Sequence, residues 1–247
     1  MSRIITIAAA VLRDAIRRKF MWVVAVFAAV MVLVIPALPS YGSAGVLAAV
    51  YTEVAIALMF VAAFIVTVAF SATRIPAEVE RRTVFTLLAR DVERWHYIVG
   101  TWLGIFSLVG IAVALFCVTV IAVGGFVYEQ LMLQVLLAGL AIWFEMGVIA
   151  ALAVLSSTRF GVVTNVVAVL TFVFAGHSMT TLVTGGDVHA ESLPWYVPSL
   201  EVFNVINPVA HGDGFGLSYA AAMTVVFAAW VLLLLTGASA VFGKRDL

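Results

Sequence analysis

The sequence predicts an all-α polytopic membrane protein with six transmembrane helices. Three observations predict it. Of 247 residues, 65% are hydrophobic and only 11% charged, and the mean hydropathy is +1.20, whereas a soluble domain is closer to half apolar. The apolar residues fall into six runs of about 20 residues or more, the length that crosses roughly 30 Å of hydrocarbon. Finally, all 13 lysines and arginines lie on one side of a six-span arrangement. An error in span number would scatter that pattern.

The chain opens with an amphipathic segment, residues 1–19. Ile4, Ala8, Leu12 and Ala15 share one helical face, with Arg13 and Arg17 opposite, so an interfacial helix lying in the headgroup region is expected. It is not read as a signal peptide. The basic cluster Arg17, Arg18 and Lys19 follows the short apolar run instead of preceding it, and no clear small-residue cleavage site intervenes.

The six spans are then expected at 20–38, 46–72, 97–123, 131–155, 162–183 and 217–241. Short connections at 39–45, 124–130 and 156–161 make their neighbours antiparallel. Arg3, Arg13, Arg17, Arg18 and Lys19 precede the first span; Arg74, Arg81, Arg82, Arg90 and Arg94 lie between the second and third; Arg159, Lys244 and Arg245 follow later. Cytoplasmic segments hold the basic excess. Both termini and the 74–96 segment are therefore expected in the cytoplasm, while the opposite side carries the acids Glu129, Asp187, Glu191, Glu201 and Asp213.

Between the second and third spans lies the one charge-dense interval. Pro76 suits a first helical turn, and Glu78 and Glu80 place negative charge against the positive end of a helix dipole, so a new helix is expected to start near Ile75. Val84, Leu88, Val92, Trp95 and Val99 recur every three or four residues, with Glu78, Arg81, Arg82, Arg90 and Glu93 largely opposite. Such an amphipathic helix either lies on the membrane surface or docks a soluble partner. Gly100 and Gly104 follow at the GxxxG spacing of close helix packing, within or between protomers.

Ionisable residues inside spans cost about 2.5 to 3.5 kcal/mol each, so each needs a reason. Glu53 falls in the outer part of the second span and Glu145 near the middle of the fourth. Each is either part of a polar or proton-linked path or hydrogen-bonded to a neighbouring helix, with exposure at the outer interface the further alternative for Glu53. His177 lies towards the outer end of the fifth span and reads as a hydrogen-bonded histidine. Trp22, Trp95, Trp102 and Trp143 read as interface anchors or packing residues.

The longest outward connection, 184–216, mixes Pro194, Pro198 and Pro208 with aromatic residues, which favours short helices and turns at the outer interface. Leu200, Glu201, Phe203 and Asn204 belong to the stretch 200–206, the candidate for a short element that re-enters the bilayer. Asp187, His189, Glu191, His211 and Asp213 have generic metal-ligand chemistry only, and no metal site is assigned. Lone Cys117 excludes an intrachain disulfide. Nor is there a nucleotide loop: the only lysines are Lys19 and Lys244, and Gly243-Lys244 has Ala238 and Arg245 where the motif needs Gly and a hydroxyl. No nucleic-acid partner is expected, although the balance of 13 basic and 13 acidic residues by itself says nothing about one.

Glu80-x-x-Thr83, Leu87-Leu88-Ala89, Arg94-Trp95 and Gly100-x-x-x-Gly104 resemble the segment after the second membrane helix in ABC-2 type permeases, the membrane subunits of a class of ATP-driven exporters. Arg82, Asp91, Glu93 and Thr101 stand where that pattern has Gly, Pro, Ser and Lys. The match covers about thirty residues; the stretch 200–204 and the ending 242–247 add to it. The resemblance implies a single ABC-2 transmembrane domain over 1–247, with 74–96 as cytoplasmic coupling segment and short re-entrant helices in the outer loop. It implies a second permease copy or paralogue and two copies of a cytoplasmic ATPase subunit, which would hold the ATP and Mg, leaving this chain without enzymatic activity or a cofactor. Glu80, Thr83, Leu87, Leu88 and Arg94 take the coupling role by residue match, and Glu78 by its position on the helix. The prokaryotic inner membrane is the implied location. Two other readings stay open: a proton-coupled secondary transporter using Glu145, and a non-transporting membrane assembly subunit.

Overall fold

A computed structural model describes residues 2–17, 20–37, 44–80, 93–129, 131–184, 200–206, 209, 214 and 216–243. Among them the regular structure is helical throughout: α1 (Ser2–Arg17), α2 (Phe20–Ala37), α3 (Ala44–Glu80), α4 (Arg94–Val127), α5 (Val135–Ser157), α6 (Val162–Thr184), one 3-10 turn at Glu201–Phe203, and α7 (Leu217–Gly243). Four stretches are long and apolar enough to cross a membrane, Val46–Pro76, Arg94–Val127, Val135–Ser157 and Leu217–Gly243. The expected segments 20–38 and 162–183 contain α2 and α6 but lie outside those four, α6 contributing the shorter apolar stretch Val162–Ser178.

Helix α5 is the centre of the bundle. It packs against α3, α4, α6 and α7, and small residues at Ala138, Gly139, Ala141, Gly147, Ala150, Ala151 and Ala153 let those neighbours approach closely. Aromatic rings pack directly against one of these small residues, since a Cβ on Gly147 would meet Phe106 and Phe227 at 2.7 Å. Phe106 stacks on Trp102, Trp143 and Phe227, and Phe144 stacks on Phe227, tying α4, α5 and α7 together. Each indole also finds an acceptor: Trp102 Nε1 donates to the Gly147 carbonyl and Trp143 Nε1 to that of Phe106, both at 2.9 Å. Trp22 and Trp95 are exposed.

Gly100 and Gly104 serve contact within the chain. A Cβ on Gly100 would meet Ile7 Cβ at 2.8 Å, and one on Gly104 would meet Val11 Cβ at 2.6 Å and the Ala8 carbonyl at 2.9 Å. Helix α1 therefore lies directly on α4, running in the same sense where they touch. Its buried face is Ala8, Val11 and Ala15, with Leu12 partly buried, while Arg13 and Arg17 are exposed. Asp14 adds an ion pair to Arg74 of α3 at 3.0 Å.

No helix starts near Ile75. Instead α3 continues through Pro76 to Glu80, although proline removes a backbone donor and crowds the carbonyl four residues earlier. Tertiary contacts outweigh that local cost, because Ile75 is fully buried in the core and Arg74 is held by Asp14. Helix α5 also starts later than expected. Residues 131–134 form turns, with Met132 buried and its sulfur accepting from Thr52 Oγ1 at 3.1 Å.

At the other end of the gap, Arg94 opens α4 and reaches the end of α7. Its Nη1 donates to the Phe242 and Gly243 carbonyls, both at 3.0 Å, two of the acceptors that a helix C-terminus leaves unmatched. Arg94→Ala is expected to cost about 1–2 kcal/mol, after allowing for solvent screening of a partly exposed group. Thermal melting in detergent checks this, with exposed Arg13→Ala expected to change little.

Candidate functional site

The sequence places one carboxylate in the middle of the bundle's most buried helix. Glu145 of α5 is 2% exposed, and its Oε1 accepts no hydrogen bond among the described residues. Across from it stands His177 of α6, with Nε2 3.4 Å from Glu145 Oε1. The other ring nitrogen, Nδ1, lies 3.1 Å from the Val173 carbonyl. A carbonyl only accepts, so Nδ1 carries the hydrogen and donates it. In the neutral ring Nε2 is then a lone pair, and it faces a carboxylate oxygen.

Around this pair the bundle leaves a cavity of about 160 Å³, lined by Phe60, Ile142, Glu145, His177, Phe203, Asn204 and Ile206. Phe60 of α3 meets the His177 ring edge-on, centroids 5.9 Å apart at 72°. The floor is Ile142, one turn before Glu145 on α5.

Residues 200–206 close the far side. The Leu200 N–H donates to the Gly176 carbonyl at 3.2 Å, and Gly176 is needed there: a Cβ would meet Leu200 Cγ at 2.8 Å. Phe203 is buried, and Tyr219 of α7 donates its hydroxyl to the Val202 carbonyl at 2.7 Å. Asn204 is exposed, marks the mouth, and donates to Glu201 Oε2 at 3.4 Å. Among the described residues no group of three His, Cys, Asp or Glu side chains is arranged to hold a metal ion.

Residues that the sequence singled out one at a time are thus neighbours. Glu145, His177, Phe203 and Asn204 share one cavity, and Leu200 and Glu201 flank it. The expected short helix at 200–206 is a single 3-10 turn. Glu53 lies apart, exposed on α3. Glu78 and Glu80 fall in the last turn of α3, whereas Thr83, Leu87 and Leu88, with most of the 77–94 segment, lie outside the described residues, as do Asp187, His189, Glu191, His211 and Asp213. Phe60 and Ile142 were missed, since an apolar residue in an apolar span carries no mark. Gly176, next to His177, was the available signal for the close approach of 200–206.

Four apolar helices and the cavity together describe a helical, multi-pass membrane architecture in which a glutamate and a histidine face each other at one cavity of the bundle. No protein-family model matches the chain, and no curated protein matches it at a significant level.

Proposed function

We propose that the chain is the membrane subunit of an ATP-driven ABC-2 type transporter, an exporter with six spans and both termini in the cytoplasm. The observation that carries this reading is the residue match from Glu80 to Gly104, in the segment where the basic residues concentrate. In this reading a separate cytoplasmic ATPase, two copies serving a permease dimer, presses on residues 77–94 and alters the packing of the spans. Support comes from how that segment is anchored. One flank, α3, is tied by Arg74 to α1, and the other, α4, is tied by Arg94 to the end of α7, so force on the segment would be delivered to both the first and the last helix.

Arg94 has this second, structural duty, so it is a poor test residue. Glu80→Ala combined with Thr83→Ala is expected to weaken co-purification of the ATPase in detergent about thirtyfold, two contacts at about 1 kcal/mol each. A full yield of ATPase with the double variant, or an affinity-tagged chain that never brings down an ATP-hydrolysing protein, counts against the reading.

The Glu145–His177 pair favours one other reading, a secondary transporter that carries a proton at Glu145. Vesicles separate the two. The first needs ATP and its partner, and the second works with an imposed pH gradient alone.

A further inference from the structure

In the cavity between α3, α5, α6 and the 200–206 segment, Glu145 and His177 bring an oxygen and a nitrogen together, and no third side chain among the described residues donates to that oxygen. Glu145 Oε1 and His177 Nε2 face each other across 3.4 Å. The histidine's hydrogen is committed to Val173, and Oε1 takes none from the described residues. A carboxylate removed from water is costly unless paired. What the site lacks, a positive charge carrying N–H groups, is what an alkylammonium ion supplies.

We propose that this cavity binds the ammonium group of a small organic amine, whose N–H groups bridge Glu145 Oε1 and His177 Nε2 while its alkyl part lies among Phe60, Ile142 and Phe203. The lining agrees in kind and in size. Two phenyl rings and an isoleucine suit an alkyl chain, and aromatic faces attract a cation. About 160 Å³ is comparable to the engineered cavity of about 150 Å³ that accepts benzene, so the guest has about six heavy atoms or is the amine end of something longer. Asn204 at the mouth, exposed, offers the way in. A zinc ion fits less well, because it wants about four protein or water ligands and the described residues bring no third His, Cys, Asp or Glu to this pair.

The inference does not depend on the transporter reading, because binding is measured on the purified chain without ATPase or transport. The full chain in a nonionic detergent is titrated calorimetrically with n-butylammonium chloride and, separately, with n-butanol. Saturable binding of the ammonium is expected, with the alcohol at least about tenfold weaker. Glu145→Gln should weaken the ammonium at least about tenfold. Should that variant fail to give monodisperse protein, Asn204→Trp, a change at an exposed position that blocks the mouth, should do the same. Equal affinity for the alcohol, no saturable binding of the ammonium, or undiminished binding in whichever variant is measured would overturn the proposal.

Discussion

Gly104→Leu is expected to detach α1 from α4 and to produce the largest loss of stability of any single change considered. The physical reason is that its Cβ would stand 2.9 Å from the Ala8 carbonyl, part of a helix backbone that has no rotamer to change. Overpacking a well-filled core typically costs about 1–3 kcal/mol, and a clash with backbone belongs at or above the upper end. The expected signature is specific. Arg13 and Arg17 are already exposed on α1, so once α1 lifts away, trypsin should cut there at concentrations that leave the parent chain intact. A matching substitution at Gly125, where an added Cβ meets nothing within 4 Å, serves as the control.

Glu145→Met is expected to act in the other direction. The replacement keeps a similar length and removes a buried carboxyl oxygen that has no donor. Relieving an unsatisfied buried polar group is worth about 1–3 kcal/mol, so the melting temperature should rise. At the same time the variant should lose amine binding, and it should lose proton-driven transport if that is what the chain performs. Stability gained together with function lost would indicate that the carboxyl is kept for its chemistry and not for packing. A fall in melting temperature would indicate instead that Glu145 is a structural partner of His177.

How much of this was legible in the sequence differs by scale. The helices were legible, because long apolar runs and short polar connections leave few other ways to satisfy the backbone in lipid. Their ends were less so. Pro76 reads locally as a helix start, but Ile75 in the core and the Arg74–Asp14 pair carry α3 through it. Met132, seated against Thr52, holds 131–134 in turns where composition alone would begin a span. The cavity was legible only as fragments. Glu145 and His177 stood out because charge and imidazole are rare inside spans. Their meeting depends on the rotations of α5 and α6 about their axes, and helices that are apolar all round show no face from which a rotation can be read. Phe60, invisible by that criterion, is set against His177 only by how α3 lies on α6.

The continuity of α3 has a mechanical meaning. At 37 residues it is about 55 Å long, nearly twice the hydrocarbon thickness. Near one end it carries Arg74 and the prolyl joint at position 76; roughly midway it presents Phe60 to the cavity. One unbroken helix thus ties the Arg74–Asp14 pair, near the basic end of the bundle, to the Phe60–His177 contact some four turns away.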